Sequence, residues 1–341
     1  MKYKLLAVSS KAVVNIGDYI QALAALQFLP ANDGFIQRES LRTYQGEEAT
    51  VVMNGWFMHH PEQWPPARSI HPVFLAFHLN VLAQERLLSD EGIAYLKEHE
   101  PIGCRDRNTV NLLASKGIEA FFSGCLTLTL GRNFRFEGKR ESIIFVDPFF
   151  VTRWSIVKGM RNLATLVVHW KAIKKIARKI PEGSGGRKMM ILATFYREYR
   201  KLFSKDALVN GEYICQQSRY YKNAFQTDEE RLKEAERLVR KYAQAQLVVT
   251  SRIHCALPCL GLETPVIYTE GEDQSEASKC RMSGLKELFN ILSWRDGHLE
   301  PQFRMEKDTY IDQAIPVNKE GWSKVAMDIS NRLQEKLHLQ Q

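Results

Sequence analysis

Short apolar runs recur along the chain, each closed by polar residues and followed by a stretch with helical spacing. Leu5–Val8 is the first such run; Ser9-Ser10-Lys11 and Asn15-Ile16-Gly17-Asp18 follow it, and YIQALAALQFL over 19–29 is rich in helix formers. Thr50–Met53 and Val73–Phe77 read as buried strands, the second ending at His78, and Ser89–His99 as a helix opened by a Ser-Asp-Glu cap. Pro101–Cys104 is a further strand that hands Arg105-Asp106-Arg107-Asn108-Thr109 to a helix running through Ser115, with Gly117 suited to its C′ position. Glu119–Phe122 returns as a strand. This alternation predicts a doubly wound α/β unit over residues 1–135. Between the strands, Trp56, Phe57, His59, His60 and Trp64 form a loop closed by Pro65-Pro66. Such a loop either stacks on a sugar or packs against its own domain, and packing is the commoner use.

The pattern repeats after a polar, charged stretch over 131–141, which reads as an interdomain linker. Ile143–Val146 opens a second α/β unit over 140–318, and Met189–Thr194 has the apolar character of another strand. Thr227–Ala243 is the clearest helix, with Thr227 and Glu230 spaced as a capping box. It feeds Leu247-Val248-Val249, a β-branched strand ending in Thr250-Ser251, which suit a helix N-cap. After Gly261 and Pro265 comes the strand Val266-Ile267-Tyr268, then a charged loop carrying Lys279 and Arg281 ahead of a helix at Leu285. Trp322–Leu337 is a last amphipathic helix; residues 319–341 form a tail that can cross back to the first unit.

Composition is ordinary for a two-domain globular chain: 341 residues, 45% hydrophobic and 25% charged. The opening MKYKLLAVSS reads as a first strand rather than a leader, and no apolar run has the length of a membrane span. Six scattered cysteines without CxxC or zinc spacing read as reduced thiols in a cytoplasmic protein. Net charge is +8. It is concentrated in 151–205, which holds fourteen Lys or Arg against only Glu182 and Glu198. Within it, Trp154–Ile180 is amphipathic: Ile156, Met160, Leu163, Val167, Trp170, Ile173, Ala177 and Ile180 recur at three- or four-residue spacing. That composition suits either a peripheral helix on an anionic membrane or a core-packed helix with a solvated basic face. Nucleic acid also fits the charge, but no recognition module is visible.

Chemistry concentrates where strands end. Arg252 and His254 stand at the elbow between the strand at 247 and the next helix, where open parallel sheets bind ligands and helix N-termini favour anions. The pair either binds an anion and moves a proton, or merely forms a salt bridge and caps a helix. Asn15-Ile16-Gly17-Asp18 could cradle an anion but is not GxGxxG. His59-His60 is a poor metal pair, and no metal motif is present.

Three blocks together resemble the polysaccharide pyruvyl transferase family: Asn15-Ile16-Gly17-Asp18 with Gln21; Cys104-Arg105-Asp106 with Thr109 and Gly117; and Ser251-Arg252-Ile253-His254 with Gly261 and Pro265-Val266-Ile267. The resemblance implies a GT-B-like fold, two Rossmann-like domains facing across a cleft. It implies transfer of a pyruvyl group from phosphoenolpyruvate to a sugar as a ketal, with Arg252 and His254 at the donor. A donor carrying a carboxylate and a phosphate needs fixed positive charge, which Arg252 and Arg105 supply; Ser251, Ile253, Lys279 and Arg281 belong to the same side. His254 suits proton transfer as acid or base. Asn15, Gly17 and Asp18 would face the sugar or lipid-linked oligosaccharide acceptor. No metal or cofactor is required, and the location expected is cytoplasmic, with residues 154–180 able to hold the protein on the inner face of the membrane. A GT-B glycosyltransferase using a nucleotide sugar and a non-enzymatic polyanion binder are the competing expectations.

Overall fold

The computed structural model describes residues 1–8, 14–149, 156–272 and 275–338. Ser9, Ser10, Lys11, Arg153 and Trp154 therefore lie outside the described residues. In the first lobe the strands are β1 (Lys2–Ala7), β2 (Val14–Asn15), β3 (Phe35–Gln37), β4 (Ala49–Val52), β5 (Gly55–Phe57), β6 (Ile70–Val73), β7 (Phe77–Leu79), β8 (Ile102–Cys104) and β9 (Ala120–Phe122). They form two parallel groups, β3-β1-β4-β6 and β5-β7-β8-β9. The chain runs from β4 into β5 through Asn54 and from β6 into β7 through Phe74–Ala76. The Met53 N–H donates to Val73 O (2.9 Å) and the Gly55 N–H to Ala76 O (3.1 Å), so the two groups are halves of one bent sheet.

The second lobe contains β10 (Ser142–Val146), β11 (Glu212–Ile214), β12 (Gln217–Ser218), β13 (Ala245–Thr250), β14 (Val266–Glu270), β15 (Asn290–Arg295) and β16 (His298–Pro301). Its sheet runs β11-β10-β13-β14-β15-β16, parallel except for the β15–β16 hairpin. Leu247, Val248 and Val249 are buried, as a central strand covered on both faces demands. The chain is thus α/β, with two Rossmann-like lobes.

The lobes share one interior. Ile20 and Leu23 of the helix Ile16–Leu26 belong to the same apolar cluster as Leu238 and Val239 of the helix Asp228–Ala243 and Leu257 of the helix Ile253–Gly261. Strand β2 pairs antiparallel with β12 across the lobes, with Asn15 opposite Gln217. The Tyr19 hydroxyl donates to Asp228 Oδ1 (2.6 Å), and Thr227 and Glu230 close the capping box of that helix. The final helix, Trp322–His338, lies on the first lobe: Lys336 Nζ donates to Pro101 O (3.1 Å) and the Arg332 guanidinium sits 4.5 Å from the Phe121 ring centroid.

Several elements differ from the sequence expectation. Met189–Thr194 is not a strand but the middle of the helix Gly185–Tyr199. Its buried Leu192, Phe195, Tyr196 and Tyr199 recur at helical spacing once the run is followed to its end. Trp56 and Phe57 belong to β5 rather than a loop, and Val73–Phe77 is interrupted where Ala76 takes a φ of 58°. Lys279 and Arg281 lie on a helix, Glu276–Met282, and a single 3₁₀ turn follows at Lys286–Leu288. The amphipathic stretch is two helices, Ile156–Val168 and Trp170–Lys179, broken at His169. Its second half is core, with Ile173, Ile176 and Ile180 buried, whereas Ile156, Met160, Leu163 and Val167 are in solvent.

Gly261 shows how tightly the lobes meet. A Cβ there would collide with the carbonyl of Leu128 in the first lobe, a backbone group with nowhere to move. Gly261→Ala should lower unfolding free energy by about 1–3 kcal/mol, the usual cost of overpacking; chemical denaturation checks this.

Candidate active site

The elbow after β13 is fixed by its own polar groups. Thr250 Oγ1 accepts from the Arg252 N–H (2.9 Å), and Ser251 Oγ donates to the carbonyl of Asp147 (2.7 Å), just past β10. Ser251 therefore ties two strand ends together rather than capping the helix; the N-cap of Ile253–Gly261 is Arg252, which makes no side-chain cap bond. The first turn of that helix borders a cavity of about 220 Å³ walled by Ser251, Arg252, Ile253, His254, Arg281 and, from the first lobe, Asn15. Arg252 does form a salt bridge, Nε to Asp147 Oδ2 (2.7 Å), and its Nη1 donates to Gln217 Oε1 (3.0 Å). Its side chain is still 35% exposed and walls both this cavity and an adjoining one of about 690 Å³. Salt bridge and cleft position thus coexist in one residue.

His254 is buried, and its Nε2 has no hydrogen-bond partner among the described residues. Its backbone leaves helical geometry (φ −85°, ψ 22°), and its carbonyl accepts from Gln216 Nε2 (3.0 Å). Gly17 lies against it: a Cβ there would stand 3.1 Å from His254 Cβ and 3.0 Å from Asn15 Oδ1. Gly17 thus permits close approach of the two lobes beside the imidazole. Asn15 caps the helix Ile16–Leu26 through Oδ1, which accepts the Gly17 N–H (3.0 Å). His254, Asn15, Asp18 and Arg281 also wall a third cavity of about 520 Å³, whose far side is Arg38, Trp56, His59 and Asn80.

Arg105 follows β8 and is fully buried. Its N–H donates to Phe77 O (2.8 Å), but Nε, Nη1 and Nη2 all lack a hydrogen-bond partner among the described residues. The neighbouring carboxylate is spent elsewhere. Asp106 Oδ1 caps the helix Arg107–Ala114 by accepting from the Thr109 N–H (2.9 Å), and Oδ2 lies 2.5 Å from His78 Nδ1. An ionised carboxylate only accepts, so His78 carries its proton on Nδ1.

The electrostatics follow from burial beside cations. Burial, then Arg105 and Arg281, holds the pKa of His254 well below the usual imidazole range. Burial and Arg105 likewise bring His78 down to about 4, against the pull of Asp106. Burial lowers Arg105 to about 10, so it remains charged at neutral pH. Burial raises Asp18, opposed mainly by Arg38 (Nη1 3.9 Å from Oδ1) and Arg281. For Asp106, burial pushes upward, but the His78 hydrogen bond and the charge of Arg105 leave it below the carboxylate norm.

Of the residues singled out in the sequence, Arg252, His254, Ser251, Ile253, Arg281, Asn15 and Asp18 wall the connected cavities. Gly17 packs beneath them and Arg105 lies buried within electrostatic reach of His254 and Arg281. Lys279 is exposed and is not part of these walls. Sequence reasoning missed Arg38, Asn80, Asp147, Gln216 and Gln217. Arg38 and Asp147 each follow a short strand immediately, the same signal that exposed Arg105. Trp56 and His59, read in the sequence as either stacking on a sugar or packing against their own domain, wall the third cavity.

The family profile described as polysaccharide pyruvyl transferase matches residues 15–271. The chain belongs to the polysaccharide pyruvyl transferase family. No curated protein matches it. Among solved structures, the E. coli heptosyltransferase WaaC with ADP is 13% identical, covering 87% of this chain and 95% of that one, with a TM-score of 0.35. The same enzyme with ADP-2-deoxy-2-fluoro heptose is 12% identical, covering 83% and 96%, with a TM-score of 0.31. E. coli ADP-heptose LPS heptosyltransferase II is 12% identical, covering 99% and 100%, with a TM-score of 0.29.

The buried neutral histidines make an expected pH signature. An unfolded imidazole binds a proton below about 6.5, whereas His254 and His78 in the fold do so only at lower pH, so the unfolded state gains protons first. Stability should fall as pH drops from about 6.5 toward 5, each histidine adding up to about 1.4 kcal/mol per pH unit. His254→Gln should flatten this slope relative to the unaltered protein in denaturant titrations between pH 7 and 5.

Proposed function

We propose that the protein moves a pyruvyl group from phosphoenolpyruvate onto two hydroxyls of a polysaccharide sugar. The observation that carries this reading is Arg105, a fully buried guanidinium with three partnerless nitrogens, electrostatically coupled to Arg281 and to the partnerless imidazole of His254. A buried charge left unpaired costs several kcal/mol, so a site that keeps one is built to receive an anion. A donor bearing both carboxylate and phosphate offers acceptor oxygens to Arg252, Arg281 and the helix start at Ile253, which wall one cavity, with the buried charge of Arg105 behind them.

The reaction balances without a redox partner. The first hydroxyl attacks C2 of the enol, C3 takes a proton to become methyl, and the C2–O bond to phosphate breaks. The second hydroxyl then closes the ketal at C2. Of the two hydroxyl protons, one ends on C3 and one on the departing phosphate. His254 enters as a neutral base because burial beside cations keeps it unprotonated. Asp18, whose carboxyl is raised by burial, is the second proton carrier on the acceptor side. Trp56, with the Arg38 guanidinium 5.3 Å from its ring centroid, and His59, 4.4 Å from Trp56, line that side as a sugar wall.

Phosphoenolpyruvate should raise the melting temperature, and Arg105→Met should abolish the shift. His254→Gln should retain the shift while lowering kcat by about 10²-fold or more, the scale of a lost general base. Stabilisation by a nucleotide sugar and none by phosphoenolpyruvate would overturn the reading in favour of glycosyl transfer. On the acceptor side, Trp56→Ala should raise KM for the sugar about tenfold while leaving the donor shift intact, since a ring contact of this kind contributes roughly 1 kcal/mol or more.

A further inference from the structure

Among the described residues, the apolar outer face of the helix Ile156–Val168 is left exposed. Thirteen large apolar side chains stand exposed among the described residues, and seven of them fall between positions 156 and 170. Ile156, Met160, Leu163 and Val167 recur at spacings of four, three and four, so they form one stripe. Val157, Val168 and Trp170 widen it. The opposite face is anchored: Asn162 is buried and its Oδ1 accepts from Arg197 Nη1 (2.5 Å) on the helix Gly185–Tyr199. The stripe is therefore held outward rather than free to roll inward.

The charge around the stripe is of one sign. From 156 to 180 there are seven Lys or Arg and no Asp or Glu. Where the chain breaks at His169, a cavity of about 660 Å³ opens beside Val167, Val168 and Trp170, with Lys171, Lys175, Arg200 and Lys205 in its wall and no carboxylate. His169 is held below the usual imidazole range by burial and then by Arg200 and Lys205, so its Nε2 accepts from Arg200 Nη1 (2.6 Å) and helps fix that guanidinium. The Lys174 ammonium lies 5.6 Å from the Trp170 ring centroid, which keeps that indole beside a cation at the end of the stripe.

An apolar stripe of this size needs a cover, and the charge selects it. A second copy of the chain would bury the stripe but would bring two segments of seven positive charges together. An anionic bilayer satisfies both features at once, taking apolar side chains below its headgroups and cations among them. We propose that this face docks on an anionic lipid bilayer, the stripe entering the headgroup boundary and the Lys171–Arg200 cavity receiving a lipid phosphate. This docking requires no turnover, so it stands or falls separately from the proposed reaction.

The test is sedimentation of the full chain with vesicles of phosphatidylcholine alone or mixed with phosphatidylglycerol, at low and high salt. The protein should pellet with anionic vesicles at low salt, less at high salt, and little with neutral ones. Met160→Asp combined with Leu163→Asp, both at exposed positions, should weaken binding about tenfold or more with the melting temperature unchanged. Lys171→Glu with Lys205→Glu should remove the preference for phosphatidylglycerol. Failure to pellet with anionic vesicles at low salt would overturn the proposal, as would binding untouched by the aspartate pair. A solution dimer that the aspartate pair splits, without vesicle binding, would assign the stripe to a second copy. Loss of vesicle binding to millimolar inorganic phosphate at constant ionic strength would assign the cavity to a free anion instead.

Discussion

A guanidinium buried without a hydrogen-bond partner among the described residues is the constraint on which the cleft depends. Arg105 remains protonated at neutral pH although no described group accepts its hydrogen bonds. Every nearby group responds to that charge. His254 and His78 stay neutral because a third and fourth cation at this depth would be prohibitive. Asp106, the adjacent carboxylate, is committed to a helix cap and to His78 rather than to the guanidinium. Asp147 is committed in the same way to Arg252 and to the Gln216 N–H (3.0 Å). One cleft cation, Arg252, is thus paired with Asp147, while the guanidinium of Arg105 has no hydrogen-bond partner among the described residues, and that buried group is the one poised for an anionic ligand.

That condition is met only while the lobes keep their relation, and short polar contacts keep it. The two-residue strands β2 and β12 align Asn15 with Gln217, and the Ile16 N–H donates to Gln216 O (3.1 Å). Gln216 also holds the His254 carbonyl, so one residue links the first lobe's helix start to the second lobe's imidazole. On the outside, Asp228 accepts from Tyr19 (2.6 Å) and Gln37 (2.7 Å) of the first lobe. The linker is clamped too: Arg140 donates to the carbonyls of Leu262 and Glu263, and Arg135 pairs with Glu263. Positioning of His254 is therefore a property of the whole two-lobe interior and not of its own helix, whose φ and ψ it breaks.

Much of this was legible because strand ends announce themselves. Cys104-Arg105-Asp106 and Ser251-Arg252-Ile253-His254 each follow a compact β-branched or apolar run, so the polar residue after the run is identifiable without any tertiary knowledge. The helix at Thr227 was equally clear, since its capping box is purely local. What the sequence concealed was set by distance along the chain. Strands β3, β11 and β12 have three residues or fewer and carry no periodicity, so the strand ends that place Arg38 and Gln216, and the strand that holds Gln217, are not visible as strands in the sequence. Met189–Thr194 misled because a six-residue window cannot separate a buried helix from a strand. The amphipathic stretch misled differently: its single spacing continues through His169, but the Ile173 half meets the core and the Leu163 half meets water. Neither outcome is encoded by spacing, only by what the fold places opposite.

The net charge of +8 is consequently two charges with different physics. The cleft arginines act at short range in a poorly screened interior, where pairing with a fixed anion is strong, directional and little altered by salt. The lysines of 156–180 and their neighbours face solvent, where each contributes little alone and ionic strength damps them over about 8–10 Å. Only the first arrangement can orient a small donor atom by atom; only the second can hold a broad, deformable surface whose charges are not fixed in place. A chain that carried its excess charge evenly would do neither. The separation into cleft arginines, Arg105 buried and Arg252 and Arg281 partly exposed at the cavity wall, and an exposed basic helix pair therefore says more about function than the total does, and it leaves the residues outside 151–205 slightly acidic overall around a cationic cleft.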